Sequence, residues 1–174
     1  MPETEKKPKT EIDIPTMNVK LKGIFNFAVV MQSIKDWFDD NSYKFEEPTH
    51  KWKTGDGIEI DIKIKGDRKI NEYVKENIEL SVRTWDMKEI EIIKDGQKTK
   101  TNEGRIAIEI GGKLNLDWQK RFSGNKFLQN LQDFFHKFII RKDIGDQWED
   151  NLLFKIIELT KTIQEKIGHE APYG

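Results

Sequence analysis

The sequence contains no cysteine, which removes disulfide staples, thiolate nucleophiles and cysteine-ligated zinc in one stroke. It also lacks a charge of one sign. Its 30 basic side chains meet 31 acidic ones, so no overall field draws the chain to nucleic acid or to an acidic membrane surface. No run of about 18 consecutive apolar residues occurs, and the N-terminal MPETEKKPKTEIDIP has no apolar stretch of the secretory kind. A soluble, cytoplasmic chain with no transmembrane segment and no nucleic-acid partner is the expectation. Motifs for hydrolysis or nucleotide binding are missing too: there is no GxSxG, HExxH, Walker loop or dinucleotide fingerprint. His50, His136 and His169 stand far apart, with no second ligand at a metal-binding spacing. No catalytic residue, metal or cofactor is assigned, and a non-enzymatic protein is expected.

What is present is enough chain for one domain, with 35% of it charged. Residues 1–16 combine prolines with a dense mixture of Lys, Glu and Asp, too polar to offset the entropy of ordering, and read as a disordered tail. A single domain is expected over residues 17–168, with a flexible C-terminus at 169–174. Val19 and Leu21 alternate with Lys20 and Lys22 as a first strand, and Gly23 suggests a bend. Phe27, Val30, Met31, Ile34, Trp37 and Phe38 then recur at the helical period, with Asn26 placed to cap the start and an end near Asn41.

The middle of the chain is written in twos. Tyr43 and Phe45 open a strand that Pro48 pushes to a sheet edge or a bulge. In GIEIDIKIKG, Ile58, Ile60, Ile62 and Ile64 face one way and Glu59, Asp61, Lys63 and Lys65 the other. Ile78, Leu80 and Val82 repeat the pattern, and Asp95-Gly96 has the composition of a tight hairpin turn. GRIAIEIGGKLNLDW places Ile106, Ile108, Ile110, Leu114, Leu116 and Trp118 on one face, with Gly112 in phase. Other glycines, among them Gly57, Gly66 and Gly104, read as turn residues that supply positive φ. These strands predict an antiparallel sheet of about five to seven members, aliphatic on one face and a lattice of opposite charges on the other.

An aliphatic sheet face needs a cover. The C-terminal third offers two amphipathic helices. The first, FLQNLQDFFHKFII, carries Phe127, Leu128, Leu131, Phe134, Phe135, Phe138 and Ile139 on one stripe and is the expected lid. The second carries Trp148, Leu152, Ile156, Leu159, Ile163 and Ile167, and its spacing suits the first helix, the sheet or another chain equally. Arg121, Ser123, Asn125 and Lys126 precede the Phe-rich helix and could hold an anion at its N-terminus; capping by Ser123 or Asn125 explains the same residues without a ligand. The fold class is therefore α+β: strand, helix, antiparallel sheet, then two C-terminal helices.

That order, over roughly residues 18–167, resembles the helix-grip arrangement of START-type and Bet v 1-type lipid-binding domains, in which a curved sheet wraps a long C-terminal helix. It departs from that pattern in having one helix after the first strand and two at the end. In wording, GRIAIEIGGKL followed by NKFLQNLQDFFHKFIIRKDI resembles a group of small uncharacterised archaeal and environmental proteins, a likeness that carries no site residues with it. Two functions fit. One is a protein-interaction or assembly module, with a protein partner or a homo-oligomer. The other, implied by the helix-grip likeness, is a carrier of a small apolar or lipid-like ligand, with Phe127, Leu131, Phe134, Phe135 and Phe138 as the pocket wall.

Overall fold

A computed structural model describes residues 10–122, 124–135 and 141–168, with backbone alone for residues 135 and 141–146. The chain runs β1 (Glu11–Phe25), α1 (Phe27–Asp40), β2 (Lys44–Thr54), β3 (Ile58–Lys69), β4 (Val74–Lys94), β5 (Gln97–Leu116), α2 (Lys126–Phe135) and α3 (Arg141–Gly168). The strands form one antiparallel sheet in the order β1-β5-β4-β3-β2. The α+β class and the strand, helix, sheet, two-helix order are as the sequence predicts. Domain limits shift slightly: residues 11–16, expected in the tail, are strand paired with β5, and Ile14 is buried. The rest of the expected tail (1–9) and the C-terminus (169–174) lie outside the described residues.

Strict alternation builds the two faces. The register places Val19, Ile108, Val82 and Ile62 in one row across four strands, with Met17, Ile110, Leu80 and Ile64 in the next. Most of these side chains are fully buried. On the other face Arg83 pairs with Asp61 at 3.8 Å, Lys65 with Glu79 at 3.5 Å and Lys113 with Glu11 at 3.2 Å. Such exposed pairs contribute about 0–1 kcal/mol each, so they set register and solubility more than stability.

Sequence punctuation acts where expected. The Asn26 side chain accepts from the Val29 amide at 3.1 Å and starts α1. Pro48 sits on edge strand β2, where the register slips between Glu46 and Thr49. Asp95 and Gly96 turn the β4–β5 hairpin at φ 52° and 76°. Gly66 and Gly104 differ from expectation. Both lie inside strands, and close approach explains them: a Cβ on Gly66 would overlap the Phe38 ring of α1, and one on Gly104 would stand 2.8 Å from the Met87 Cα. The latter contact sits at the bulge where β4 slips between Trp85 and Lys88, and Gly57, in the connection just before β3, meets the same bulge. Trp118 leaves the apolar face, because Asp117 at φ 50° ends β5 and the indole Nε1 donates to the Asn71 carbonyl at 3.0 Å.

The cover of the sheet is α3. Leu152, Ile156, Leu159 and Ile163 are fully buried, each stabilising the fold by about 1.5–3 kcal/mol relative to exposure. Helix α3 packs on β1, β5 and α1. At Gly112 it sits close over β5, where a Cβ would overlap Ile156 Cδ1. The Phe-rich helix α2, expected as the lid, is not the cover over its described length. Phe127 is 73% exposed, Phe134 55% and Leu131 42%.

Candidate functional site

Helix α2 docks by its polar side. Gln132 is its buried side chain among the described residues, 7% exposed, and its amide donates to the Asp117 carboxylate at 3.5 Å. Asp117 is an anchor for the whole preceding loop: its carboxylate also accepts from the Arg121 amide at 2.9 Å and the Phe122 amide at 3.3 Å. Nearby, Phe122 meets Tyr73 edge to face at 6.1 Å. With Gln132 turned inward, Phe127, Leu131 and Phe134, at i, i+4 and i+7, form a stripe on the opposite side. Three of the five residues proposed from sequence as a pocket wall therefore lie on an exterior surface. The Phe135 side chain and Phe138 lie outside the described residues.

The expected anion site at the start of α2 is not assembled by the residues the structure describes. Asn125 caps the helix, its side chain accepting from the Leu128 amide at 2.9 Å. The Arg121 guanidinium pairs with Glu72 at 2.6 Å, and Lys126 is exposed. Ser123 lies outside the described residues, as do His136 and His169. His50 pairs with Glu47 at 2.7 Å on the edge strand.

A second cluster was not singled out from sequence. Glu76 stands on the aliphatic face of β4, in phase with Ile78 and Leu80, and is 1% exposed. Its Oε2 accepts from the Tyr43 hydroxyl at 2.6 Å and Arg68 Nε at 3.2 Å, and Lys155 Nζ of α3 stands 3.4 Å away. The arrangement links four segments: the chain just after α1, β3, β4 and α3. Arg68 also donates to the Asn41 carbonyl at 3.5 Å and lies over the Tyr43 ring at 5.3 Å. Burial pushes the Tyr43 phenol far above the usual tyrosine range, helped by its hydrogen bond to Glu76 and by that carboxylate's charge. Burial pulls the Lys155 ammonium down, Glu76 opposing and Arg68 assisting. Trp37 stacks on Tyr43 at 5.8 Å, its Nε1 buried without an acceptor among the described residues. The sequence did carry a signal. Counting in twos from Val82 back through Ile78 reaches Glu76, and from Ile60 forward through Ile64 reaches Arg68, and the register sets these two opposite each other.

Beside this cluster a cavity of about 760 Å³ opens between the end of α1 and the β3–β4 connection, lined by Ser42, Lys44, Asp67, Arg68, Lys69, Ile70 and Lys75. The chemistry on offer is electrostatic. Among the described residues no group of three His, Cys, Asp or Glu is placed to hold a metal ion. Among the described residues no helix is long and apolar enough to cross a membrane. Comparison with protein-family models and with curated proteins finds no match.

Proposed function

We propose that the protein is a non-enzymatic interaction or assembly module that holds a protein partner, or a second copy of itself, on the outward stripe of α2. The observation that carries this reading is the inversion of that helix: Gln132 goes in, and Phe127, Leu131 and Phe134 go out. An aromatic-rich apolar stripe in water costs free energy that a contact surface recovers. The alternative, a carrier holding an apolar ligand between sheet and helix, is weighed down by the packing. Helix α3 sets Ile156 directly on Gly112, where a Cβ would overlap its Cδ1, and the buried stripe of the helix meets a sheet face of buried Ile, Val and Leu.

The test is a paired purification from the native host of the wild type and a Phe127→Ser/Leu131→Ser variant, with native mass spectrometry of both. The reading expects a partner chain or a homo-oligomer in the wild type and its loss in the variant, at an unchanged unfolding midpoint. A variant that keeps every contact the wild type makes would refute it. A lipid-like mass released only on denaturation would favour the carrier instead.

A further inference from the structure

The two edge strands of the sheet treat their charges differently. On β2 the charges are answered within the chain: Glu46 stands 2.6 Å from Lys44, Glu47 2.7 Å from His50 and Glu59 of β3 4.0 Å from Lys53, while Lys51 lies opposite Asp61. On β1, which among the described residues pairs with β5 alone, they are not. Its acids come first, and Glu11 and Asp13 share one lysine, Lys113 of β5, at 3.2 and 3.9 Å. Its bases, Lys20 and Lys22, come last. The register sets Lys22 against Arg105 and Lys20 against Ala107, and Arg105 already holds Asp86 at 2.6 Å. Glu103 and Glu109, in the adjoining rows of β5, form no ion pair with either lysine among the described residues. Strand β1 therefore carries unanswered acid at one end and unanswered base at the other.

The main chain along the open side of β1 follows the same order. The Leu116 amide donates to the Thr10 carbonyl at 2.7 Å, so alternation directs the groups of Ile12 and Ile14 to β5 and those of Glu11 and Asp13 to the open edge. The bulge between Ile14 and Met17 moves the phase by one residue, and from there Asn18, Lys20 and Lys22 face the edge. Counted through the bulge, Met17 is the midpoint between Glu11 and Lys22. A second β1 laid antiparallel about Met17 sets Asp13 opposite Lys20 and Glu11 opposite Lys22, and symmetry repeats each contact. The aliphatic face matches too: Ile14 meets Val19, and Ile12 meets Leu21. Ile12, Met17 and Leu21 are only half-buried in the single chain, so the pairing covers them. Moving the centre to Ile14 or Val19 loses both ion pairs. Lysines, a proline and a bulge are common guards of a free edge. Lysines alone repel a second copy, whereas here the acids stand where the second copy's lysines fall. We propose that β1 is a dimer interface, joining two five-stranded sheets into one of ten strands across a two-fold axis at Met17. Main-chain hydrogen bonds supply the affinity and the side-chain match supplies the register. This surface is separate from the α2 stripe and stands or falls independently of it.

Sedimentation velocity of the full chain over a range of concentrations, at low and high salt, tests the proposal. A dimer that weakens as salt rises is expected. Lys20→Glu/Lys22→Glu and Glu11→Lys/Asp13→Lys each set like charges against one another across the axis and should raise the dissociation constant at least about tenfold. An equimolar mixture of these two variants should recover a heterodimer. The absence of cysteine gives a second readout that does not depend on charge. In the dimer Met17 faces its own copy as a non-hydrogen-bonded pair, with Cα atoms about 4.5 Å apart and within disulfide reach. Met17→Cys should therefore link two copies on mild oxidation, while Leu21→Cys, further along the strand from the axis, should not. The Phe127→Ser/Leu131→Ser variant should dimerise as the wild type does. The proposal is overturned by a wild type that remains a single chain at high micromolar concentration, by a mixture of the charge variants that fails to pair, by a Leu21→Cys link as fast as that of Met17→Cys, or by a dimer that only the Phe127→Ser/Leu131→Ser change dissolves.

Discussion

Helices α2 and α3 carry similar raw material and meet different fates. Both have apolar residues at helical spacing, and α2 is the greasier stretch, yet α3 is buried along one stripe while α2 turns Phe127, Leu131 and Phe134 outward. Length and shape decide between them. At about 1.5 Å per residue, α3 can run the full width of a sheet face. Its Leu and Ile stripe also matches a sheet floor of Ile and Val with a gap at Gly112. Helix α2 is short and is held at its polar side by the Asp117 anchor, so its aromatic side has nowhere inward to go. Amphipathicity says that a helix has a face, and neighbouring chemistry says which way the face points.

Four substitutions sharpen that contrast. Glu76→Gln should cost the most, about 3–5 kcal/mol by chemical unfolding, because Arg68 and Lys155 would remain partly buried without their carboxylate. Ile156→Ala should cost about 2–5 kcal/mol in the same measurement, the loss of a fully buried side chain against the sheet. Tyr43→Phe should act through pH. The folded state holds the phenolic proton more tightly than the unfolded chain, so that stability is full below about pH 10 and is lost as the pH rises above it. Lys155 has the opposite sign: its proton is held more tightly in the unfolded chain, and its penalty fades as the pH climbs toward 10.5. The thermal midpoint of the wild type should therefore fall more steeply above about pH 10 than that of Tyr43→Phe. Phe127→Ala should be the smallest change, within about 0.5 kcal/mol of the wild type.

The sheet was legible because period-two alternation leaves no choice of face. Once Ile62, Val82 and Ile108 point inward, the register and the charged exterior follow. The cap at Asn26, the edge at Pro48 and the turn at Asp95-Gly96 were legible because each residue has one local use. Long-range packing was less so. Gly66 and Gly104 look like turn glycines until the Phe38 ring and the bulged β4 backbone are seen above them. The Glu76 cluster was hidden for a related reason: its partners come from Tyr43, Arg68 and Lys155, and only the register and the docking of α3 bring them within hydrogen-bond reach. The direction of α2 depended on Asp117 and Gln132, two polar residues that a hydrophobic pattern passes over.

Hydroxyl-radical footprinting of the native protein, read by mass spectrometry at a concentration where a single chain is the species in solution, tests the central claim most directly. The account predicts heavy modification of Phe127 and Phe134 and near-complete protection of Phe25 and Phe38, which are fully buried. Protection of Phe127 equal to that of Phe38 would contradict it and return the Phe-rich helix to the role of lid.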